Sequence, residues 1–311
     1  MSIKIGTRGS PLALAQAHET RDLLRQAHPH LAAPDAIEIV VLTTTGDRVQ
    51  DRPLSEVGGK GVFTKELDEA LFDGRIDIAV HSMKDVPTWL PDGMVLPCML
   101  PREDVRDVMV SPRFSSFGDM PDGSVVGTTS LRRQAQVLAR YPGLRVVIFR
   151  GNVQTRLRKL NEGDADATLL ALAGLNRLDR TDVVAAVLEP EDLLPAVGQG
   201  AIGITCRADD MDNIAAVAVL DHADTSICVN AERAMLDVLD GSCRTPIAGL
   251  ATLSDDGLSM RLRGLVAEAD GSRIWTAERT GSIADAEMMG RDAGAELRAA
   301  VGEEFFIRLA D

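Results

Sequence analysis

Three short segments that could bind an anion each follow directly after a predicted strand. They are residues 7–10 (Thr-Arg-Gly-Ser), 81–85 (His-Ser-Met-Lys-Asp) and 128–133 (Thr-Thr-Ser-Leu-Arg-Arg). Ligands of open α/β sheets bind beyond the carboxyl ends of the strands, and two of these segments lead into a predicted helix whose N-terminus adds amide donors. With Arg150 after a fourth strand, they predict an anion site in which Asp85 is one carboxylate among cations. Any one of them alone is also typical of an ordinary strand-end loop.

The distribution of charge favours a local anion site over a nucleic-acid surface. The net charge is −14, whereas a phosphate backbone requires a broad positive surface, so no nucleic-acid partner is expected. Residues 126–180 nevertheless carry ten Lys and Arg against four Asp and Glu, and nine of the ten are arginine. Arginine binds carboxylates and phosphates in bidentate fashion, which indicates a pocket for a small polyanion. A helix surface covered with solvated arginines is the alternative.

Cys243 is the cysteine whose surroundings indicate reactivity. It lies in a predicted turn after a helix, and the adjacent Arg244 favours the thiolate. Cys98 lies in an apolar segment, Cys206 at a strand end and Cys228 on a helix, which is typical of structural thiols. Neither the cysteine spacing nor the five histidines predict a metal site.

Residues 57–63 (Val-Gly-Gly-Lys-Gly-Val-Phe) form a glycine-rich segment around Lys60. No hydroxyl residue follows the lysine, so the segment is not a phosphate-binding P-loop. A mobile lid that carries a cation and a plain flexible connection both fit the pattern.

Strands and helices alternate up to about residue 220. Two such series, separated by a connection rich in Pro, Gly and Asp at 91–121, predict two α/β domains with parallel sheets. Beyond residue 220, a helix is followed by turns at Asp256-Gly257 and Asp270-Gly271 and by a final helix from about Ala284. This change predicts a smaller α+β domain at the C-terminus.

Length and composition narrow the class of protein. The 311 residues, 45% hydrophobic and 26% charged, fit two or three compact domains of an ordinary globular protein. No apolar run approaches the roughly 20 residues of a membrane helix, and the N-terminus lacks the apolar stretch of a secretory signal. Four cysteines without a CxxC pair indicate reduced thiols. A soluble cytoplasmic protein without a membrane partner is therefore expected.

Taken together and in chain order, these motifs resemble the porphobilinogen deaminase family, also called hydroxymethylbilane synthases. The run 77–87 (Asp-Ile-Ala-Val-His-Ser-Met-Lys-Asp-Val-Pro) is highly specific, and the matching segments extend over almost the whole chain. The other matching segments are 7–14, 57–61, 127–133, 150–153, 194–200 and 231–233.

The resemblance implies a transferase that joins four porphobilinogen molecules head to tail, releases ammonia at each condensation and ends with the linear tetrapyrrole hydroxymethylbilane. It also implies a dipyrromethane cofactor, built from the substrate and held through a thioether to Cys243. The family has Gly-Gly-Cys at this position, whereas this chain has Gly241-Ser242-Cys243, and residues 245–247 are a mild variant too. Serine is small, so we expect altered loop geometry and not lost attachment.

The resemblance further implies roles for individual residues. Asp85 and Lys84 match the catalytic positions, and Asp85 would hold pyrrole N–H groups and stabilise the developing cation. The positions that match cofactor-binding residues are Cys243, Asp85, Lys84, Ser130, Arg132, Arg133 and Arg150. Those that match substrate-binding residues are Arg8, Ser10, Arg156, Arg177, Gln199 and, on a mobile loop, Lys60. No metal is implied.

The family fold implies two periplasmic-binding-protein-like α/β domains with a cleft between them, and a smaller C-terminal α+β domain that carries the cofactor cysteine. Domain 1 would take residues 1–100 and 197–218, domain 2 residues 101–196 and domain 3 residues 219–311, in a monomer. A non-catalytic module that binds a small carboxylate in such a cleft is the alternative class. Asp85 beside Lys84, and Cys243 in its turn, favour the enzyme.

Overall fold

The computed structural model describes residues 2–48, 61–240 and 245–310. These residues form two compact units. The first contains residues 2–48, 61–103 and 200–226, and the second contains residues 104–199 and the described residues from 227 onward. The division into three domains stays a prediction beside this two-unit organisation.

The strands are β1 (Ile3–Arg8), β2 (Ile37–Leu42), β3 (Ile78–Ser82), β4 (Met94–Met99), β5 (Asp107–Val110), β6 (Val125–Gly127), β7 (Arg145–Val147), β8 (Ala167–Ala171), β9 (Ala186–Leu188), β10 (Ile202–Arg207), β11 (Ile247–Leu253), β12 (Ser259–Ala267) and β13 (Ile274–Ser282). The helices are α1 (Pro11–Ala27), α2 (Thr45–Arg48), α3 (Lys65–Phe72), α4 (Leu131–Arg140), α5 (Val153–Asn161), α6 (Leu172–Arg177), α7 (Met211–Ala218), α8 (Ala223–Val238), α9 (Ala286–Val301) and α10 (Glu303–Ala310).

The first unit is built on a five-stranded sheet of order β2-β1-β3-β10-β4. β1 is parallel to β2 and β3, whereas β10 is antiparallel to β3 and β4. Helix α1 begins as predicted, because Pro11 occupies its first turn and the Ser10 side chain accepts a hydrogen bond from the Ala13 amide. The main core of this unit lies between the sheet and its helices, around Ile5, Leu24 and Ile204.

The second unit contains a five-stranded sheet of order β7-β6-β8-β5-β9, in which β5 is antiparallel to β8 and β9. Both large sheets are therefore mixed, and the prediction of parallel sheets is wrong for one strand in each. β5 and β10 are the strands that the chain enters from the other unit. They are not preceded by a crossover helix from a neighbouring strand, so nothing requires them to be parallel.

The predicted connection at 91–121 contains two strands, β4 and β5. Pro97 lies within β4 and removes one backbone donor, which made the segment resemble a loop. The strand is tolerated because β4 is an edge of its sheet and its pairing with β10 shifts register between Ile204 and Cys206.

The C-terminal part of the second unit is the predicted α+β arrangement. Three antiparallel strands follow the order β11-β12-β13, and Gly257 and Gly271 adopt positive φ angles of 67° and 75° at the predicted turns. Helices α8 and α9 cover one face, around Met235 and Leu297. Helix α4 packs on the other face, where Ala135 joins buried residues of β11 and β12.

In the part of the chain that the structure describes, no single helix is both long and apolar enough to cross a bilayer. The consecutive helices α7 and α8 reach the length and composition only as a pair, and they are bent by 111°.

Candidate active site

Arg8 and Asp85 lie close together at the carboxyl end of the first sheet. Arg8 ends β1, and Asp85 ends the 3₁₀ turn that follows β3. Because β1 and β3 are parallel neighbours, their last residues reach the same edge. Arg8 Nη1 is 3.7 Å from Asp85 Oδ2, and both side chains remain partly accessible, at 21% and 28%. Asp85 and Arg8 thus form a partly accessible ion pair at this edge, and an anion site there stays a prediction.

Phe63 is a second neighbour of Arg8. The guanidinium carbon lies 4.1 Å from the centroid of the Phe63 ring, which is cation–π geometry. Gly46 permits this position, because a side chain there would collide with the Phe63 ring. Phe63 was part of the glycine-rich segment in the sequence, but nothing in the pattern indicated that it contacts Arg8.

The remaining predicted residues of the first unit have more ordinary surroundings. The Ser10 hydroxyl caps α1 at 3.3 Å from the Ala13 amide. Lys84 is half-buried on the same turn as Asp85. His81 is buried, and its Nε2 lies 2.9 Å from Thr205 Oγ1. Burial, together with the nearby Arg8 charge, lowers the pKa of His81 to about 4, so the ring is neutral at pH 7.

In the second unit, Arg132 and Arg133 share one buried carboxylate. Asp107, at the start of β5, is completely buried, and its Oδ2 lies 2.7 Å from Arg132 Nη1 while its Oδ1 lies 2.6 Å from Arg133 Nη2. Burial opposes the ionisation of Asp107, but the two guanidinium groups outweigh it and lower its pKa. Together with the Asp107 carboxylate, the two arginines therefore carry a net charge of about +1. Asp107 was not predicted from the sequence, because it lies in the segment interpreted as a connection.

Backbone groups and Gln199 complete this buried network. Arg132 also donates to the Leu194 carbonyl and Arg133 to the Leu169 carbonyl, both at 2.8 Å. Gln199 Nε2 donates to Asp107 Oδ1 at 3.0 Å and to the Val105 carbonyl at 2.7 Å. Gln199, expected to bind substrate, is thus completely buried and acts within the described structure as a partner of Asp107.

Glu232 anchors the loop that presents Gln199. It is completely buried on α8, and its two carboxylate oxygens accept the Gly198 amide at 2.7 Å and the Ala251 amide at 2.8 Å. It belongs to the 231–233 motif, but its type alone did not indicate a backbone-binding role. Through it, α8 and β11 support the position of Gln199.

Arg150 and Arg156 form a second cationic group close to Arg133. Arg156 lies on α5 and its Nε donates to the Gly151 carbonyl at 2.9 Å. Burial first, and then the charges of Arg133 and Arg150, lower the pKa of Arg156 to about 10. A site where cations repel one another in this way attracts an anionic ligand. The structure thus brings together three members of the predicted arginine set, and their binding of a ligand with several carboxylates stays a prediction.

The other predicted residues are less informative. The Ser130 hydroxyl caps α4, 3.4 Å from the Arg133 amide, and Arg177 is half-buried at the end of α6. Lys60 and Cys243 lie outside the described residues. Within the described ranges, no three His, Cys, Asp or Glu side chains gather as they would around a metal ion.

Solved structures that match part of this chain include the methionine binding protein MetQ and a VFT2 domain of BvgS from Bordetella pertussis. The first is 14% identical, with a TM-score of 0.44, over 70% of this chain and 89% of that one. The second is 15% identical, with a TM-score of 0.42, over 70% and 85%. The α/β class with a smaller C-terminal α+β part is confirmed by the sheets described above.

Two family models cover most of the chain. The model described as "Porphobilinogen deaminase, dipyromethane cofactor binding domain" matches residues 3–215, and "Porphobilinogen deaminase, C-terminal domain" matches residues 226–299. A chloroplastic porphobilinogen deaminase of Oryza sativa subsp. japonica is 58% identical over 98% of this chain and 85% of its own. A porphobilinogen deaminase of Paracoccus denitrificans is 56% identical over 98% and 96%.

The chain belongs to the porphobilinogen deaminase family. Its function is the condensation of four porphobilinogen molecules to hydroxymethylbilane, with loss of ammonia, and it uses a dipyrromethane cofactor. The resemblance stated from the sequence is confirmed, and the alternative of a non-catalytic binding module is not favoured.

Proposed function

We propose that Asp85 is the catalytic carboxylate of this deaminase and that Arg8 is its positioning partner. The observation that supports this most directly is the ion pair of 3.7 Å at an accessible sheet edge. Loss of ammonia from porphobilinogen leaves an electron-poor pyrrole, and a fixed carboxylate stabilises positive charge as it develops. The same carboxylate accepts hydrogen bonds from pyrrole N–H groups and assists the proton transfers at carbon.

Lys84 and Ser10 complete the proposed site in the first unit. Lys84 follows the same strand as Asp85 and supplies a cation for an acetate or propionate group of the substrate. Ser10 is committed to capping α1, so we assign it to holding the Thr7–Ser10 segment in place beside Arg8. Lys60, which lies outside the described residues, is proposed as a further substrate-binding cation.

The arginines of the second unit are proposed to bind the carboxylates of the cofactor and of the growing pyrrole chain. Arg150 and Arg156 supply the charge, and the lowered pKa of Arg156 is the supporting observation. Arg132, Arg133 and Ser130 contribute through the N-terminus of α4, where Asp107 sets the direction of both guanidinium groups. Arg177 is proposed to bind a carboxylate, and Gln199 to position Asp107.

Cys243 is proposed as the cysteine that holds the dipyrromethane through a thioether. When bound, this group supplies the pyrrole terminus to which each new unit is added. The described residues fit such a group, because Arg133 and Arg150 lie close enough to Arg156 for their charges to lower its pKa, and a cluster of like cations suits a ligand with several carboxylates. A monomer with three domains in the cytoplasm is the accompanying proposal, whereas the rice relative is named as chloroplastic.

The intact mass of the denatured protein tests the attachment directly. We expect an excess equal to two deaminated porphobilinogen units, absent from Cys243→Ser and retained in the control Cys228→Ser. An excess that survives in Cys243→Ser would exclude this thiol. If the unsubstituted protein lacks the excess, it is to be incubated with porphobilinogen, and a mass that still does not change would contradict the proposal.

A further inference from the structure

A cavity of about 340 Å³ lies in the first unit beside α3, β3 and the loop after β3. Its lining includes Thr64, His81 and Thr205, which are 4%, 6% and 1% exposed. It also includes the aromatic rings of Phe72 and Trp89, which are 49% and 48% exposed. A volume of this size, with apolar walls and a few polar groups, is typical of a site for a small organic ligand.

The electrostatics of the cavity favour a cation. Asp68 lines it, is half-buried, and has the Thr64 hydroxyl as its hydrogen-bond partner. Among the described residues no cation pairs with Asp68, and Glu69 next to it adds negative charge. Among the described residues of the lining, Lys65 is the one lysine. Its Nζ lies 3.9 Å from Glu69 Oε1, so the Glu69 carboxylate balances its charge. A ligand with positive charge would provide Asp68 with the partner that the described protein does not.

The His81 ring on the buried wall carries no positive charge that would repel such a ligand. His81 is neutral at pH 7, because burial and the Arg8 charge lower its pKa to about 4, and its ring bonds to the Thr205 hydroxyl. A flat aromatic ligand would extend the apolar surface of Phe72 and Trp89, and a cation near those rings gains from their negative faces.

We propose that this cavity is a second binding site, for a small aromatic cation whose ring lies against Phe72 and Trp89 and whose charged group binds Asp68. The site goes beyond the proposed function and does not depend on it, because none of its polar groups has a role assigned there. Val86 and Pro87 also line the cavity and directly follow Asp85 in the chain. An occupant would therefore contact the segment that carries the proposed catalytic carboxylate.

Benzamidine is a suitable probe, because it joins a flat ring to an amidinium that matches a carboxylate in bidentate fashion. The chain has two tryptophans, so a Trp275→Phe background leaves Trp89 as the fluorescent reporter of the cavity. We expect a saturable change in Trp89 emission with a dissociation constant in the millimolar range. Neutral benzamide, which has the same shape, is expected to bind about tenfold more weakly.

Two variants test whether Asp68 supplies the negative charge that binds benzamidine. Asp68→Asn removes the charge with little change of shape and is expected to weaken benzamidine binding about tenfold. Asp73→Asn, at the exposed end of α3 and outside the cavity, is the matched control and should leave binding unchanged. Absence of a saturable signal, or equal affinity for benzamidine and benzamide, overturns the proposal. If Asp68→Asn does not fold, the comparison of benzamidine with benzamide on the protein that retains Asp68 still tests the proposal.

Discussion

Asp107 Oδ1 lies 2.6 Å from Arg133 Nη2, in a position where both side chains are almost completely buried. The same carboxylate binds Arg132 through its other oxygen. Arg132 and Arg133 stand in the sequence as two adjacent cations without an evident partner. In the structure, both bind one buried carboxylate. Because the protein itself holds these two guanidinium groups in place, no ligand is needed to orient them. The α4 end of the arginine cluster is therefore organised before any substrate binds.

Replacing Asp107 tests how far the second unit depends on this carboxylate. Asp107→Asn leaves two buried guanidinium groups without an anion, and we expect a loss of about 3–5 kcal/mol in the free energy of unfolding. The control is Asp192→Asn, whose partner Arg140 is about half exposed. That change should cost no more than about 1 kcal/mol. Urea unfolding of both variants decides the matter, and equal losses would show that the buried pairing is not what stabilises this region.

Asp85→Asn tests the proposed catalytic role. The amide keeps the size of the side chain but cannot balance positive charge, so we expect kcat to fall by about 10²–10⁴-fold while the unfolding free energy changes little. Asp92→Asn, on an exposed residue of the same unit, serves as control. Turnover of porphobilinogen is the measurement, and a near-normal kcat in Asp85→Asn would remove this residue from the mechanism.

Arg156→Gln tests the anion-binding role of the arginine cluster. The change removes one of the mutually repelling charges, so the free energy of unfolding should stay the same or fall only slightly. The affinity for carboxylates should fall. We expect KM for porphobilinogen to rise about tenfold or more, because a charge-assisted hydrogen bond is lost. Arg158→Gln, on the exposed face of the same helix, is the control. Equal KM values for the two variants would contradict the proposed role of Arg156.

Asp68 should make the protein less stable as the pH rises, which is the opposite of the usual effect of an aspartate. Burial, as the main cause, raises its pKa to about 6 from 3.8, so the folded protein retains this proton where the unfolded chain has lost it. The stability that the proton contributes is present below pH 4 and is lost as the pH rises through 6.

Removing the titratable group should therefore help at neutral pH. Asp68→Asn is expected to be more stable than the parent by about 1 kcal/mol at pH 7, after allowance for solvent screening of a half-buried group, and to lose this advantage near pH 4. Unfolding free energies at the two pH values provide the measurement, with Asp73→Asn as control. An advantage of Asp68→Asn that does not vary with pH would show that the effect has another origin.

Much of the local structure could be predicted because the signals lie within a few residues of one another. Ser10 before Pro11 starts α1, and glycines after aspartates form the turns at 256–257 and 270–271. The strand β4 escaped prediction because Pro97 interrupts it, and only its edge position makes that proline acceptable. β5 escaped because four residues in a polar connection carry little periodicity.

The sequence by itself determined the residue types that the chemistry requires and their order along the chain, including Arg8, Asp85 and the arginines of residues 132–156. Those signals are local, or belong to motifs shared by the family. Only the tertiary structure decided which of them are paired. Asp107 binds arginines 25 and 26 residues away and accepts from Gln199, 92 residues away. Burial and ion pairing depend on which distant segments the fold brings together, so no spacing along the chain reveals that Arg132 and Arg133 are anchored internally whereas Asp85 stays accessible.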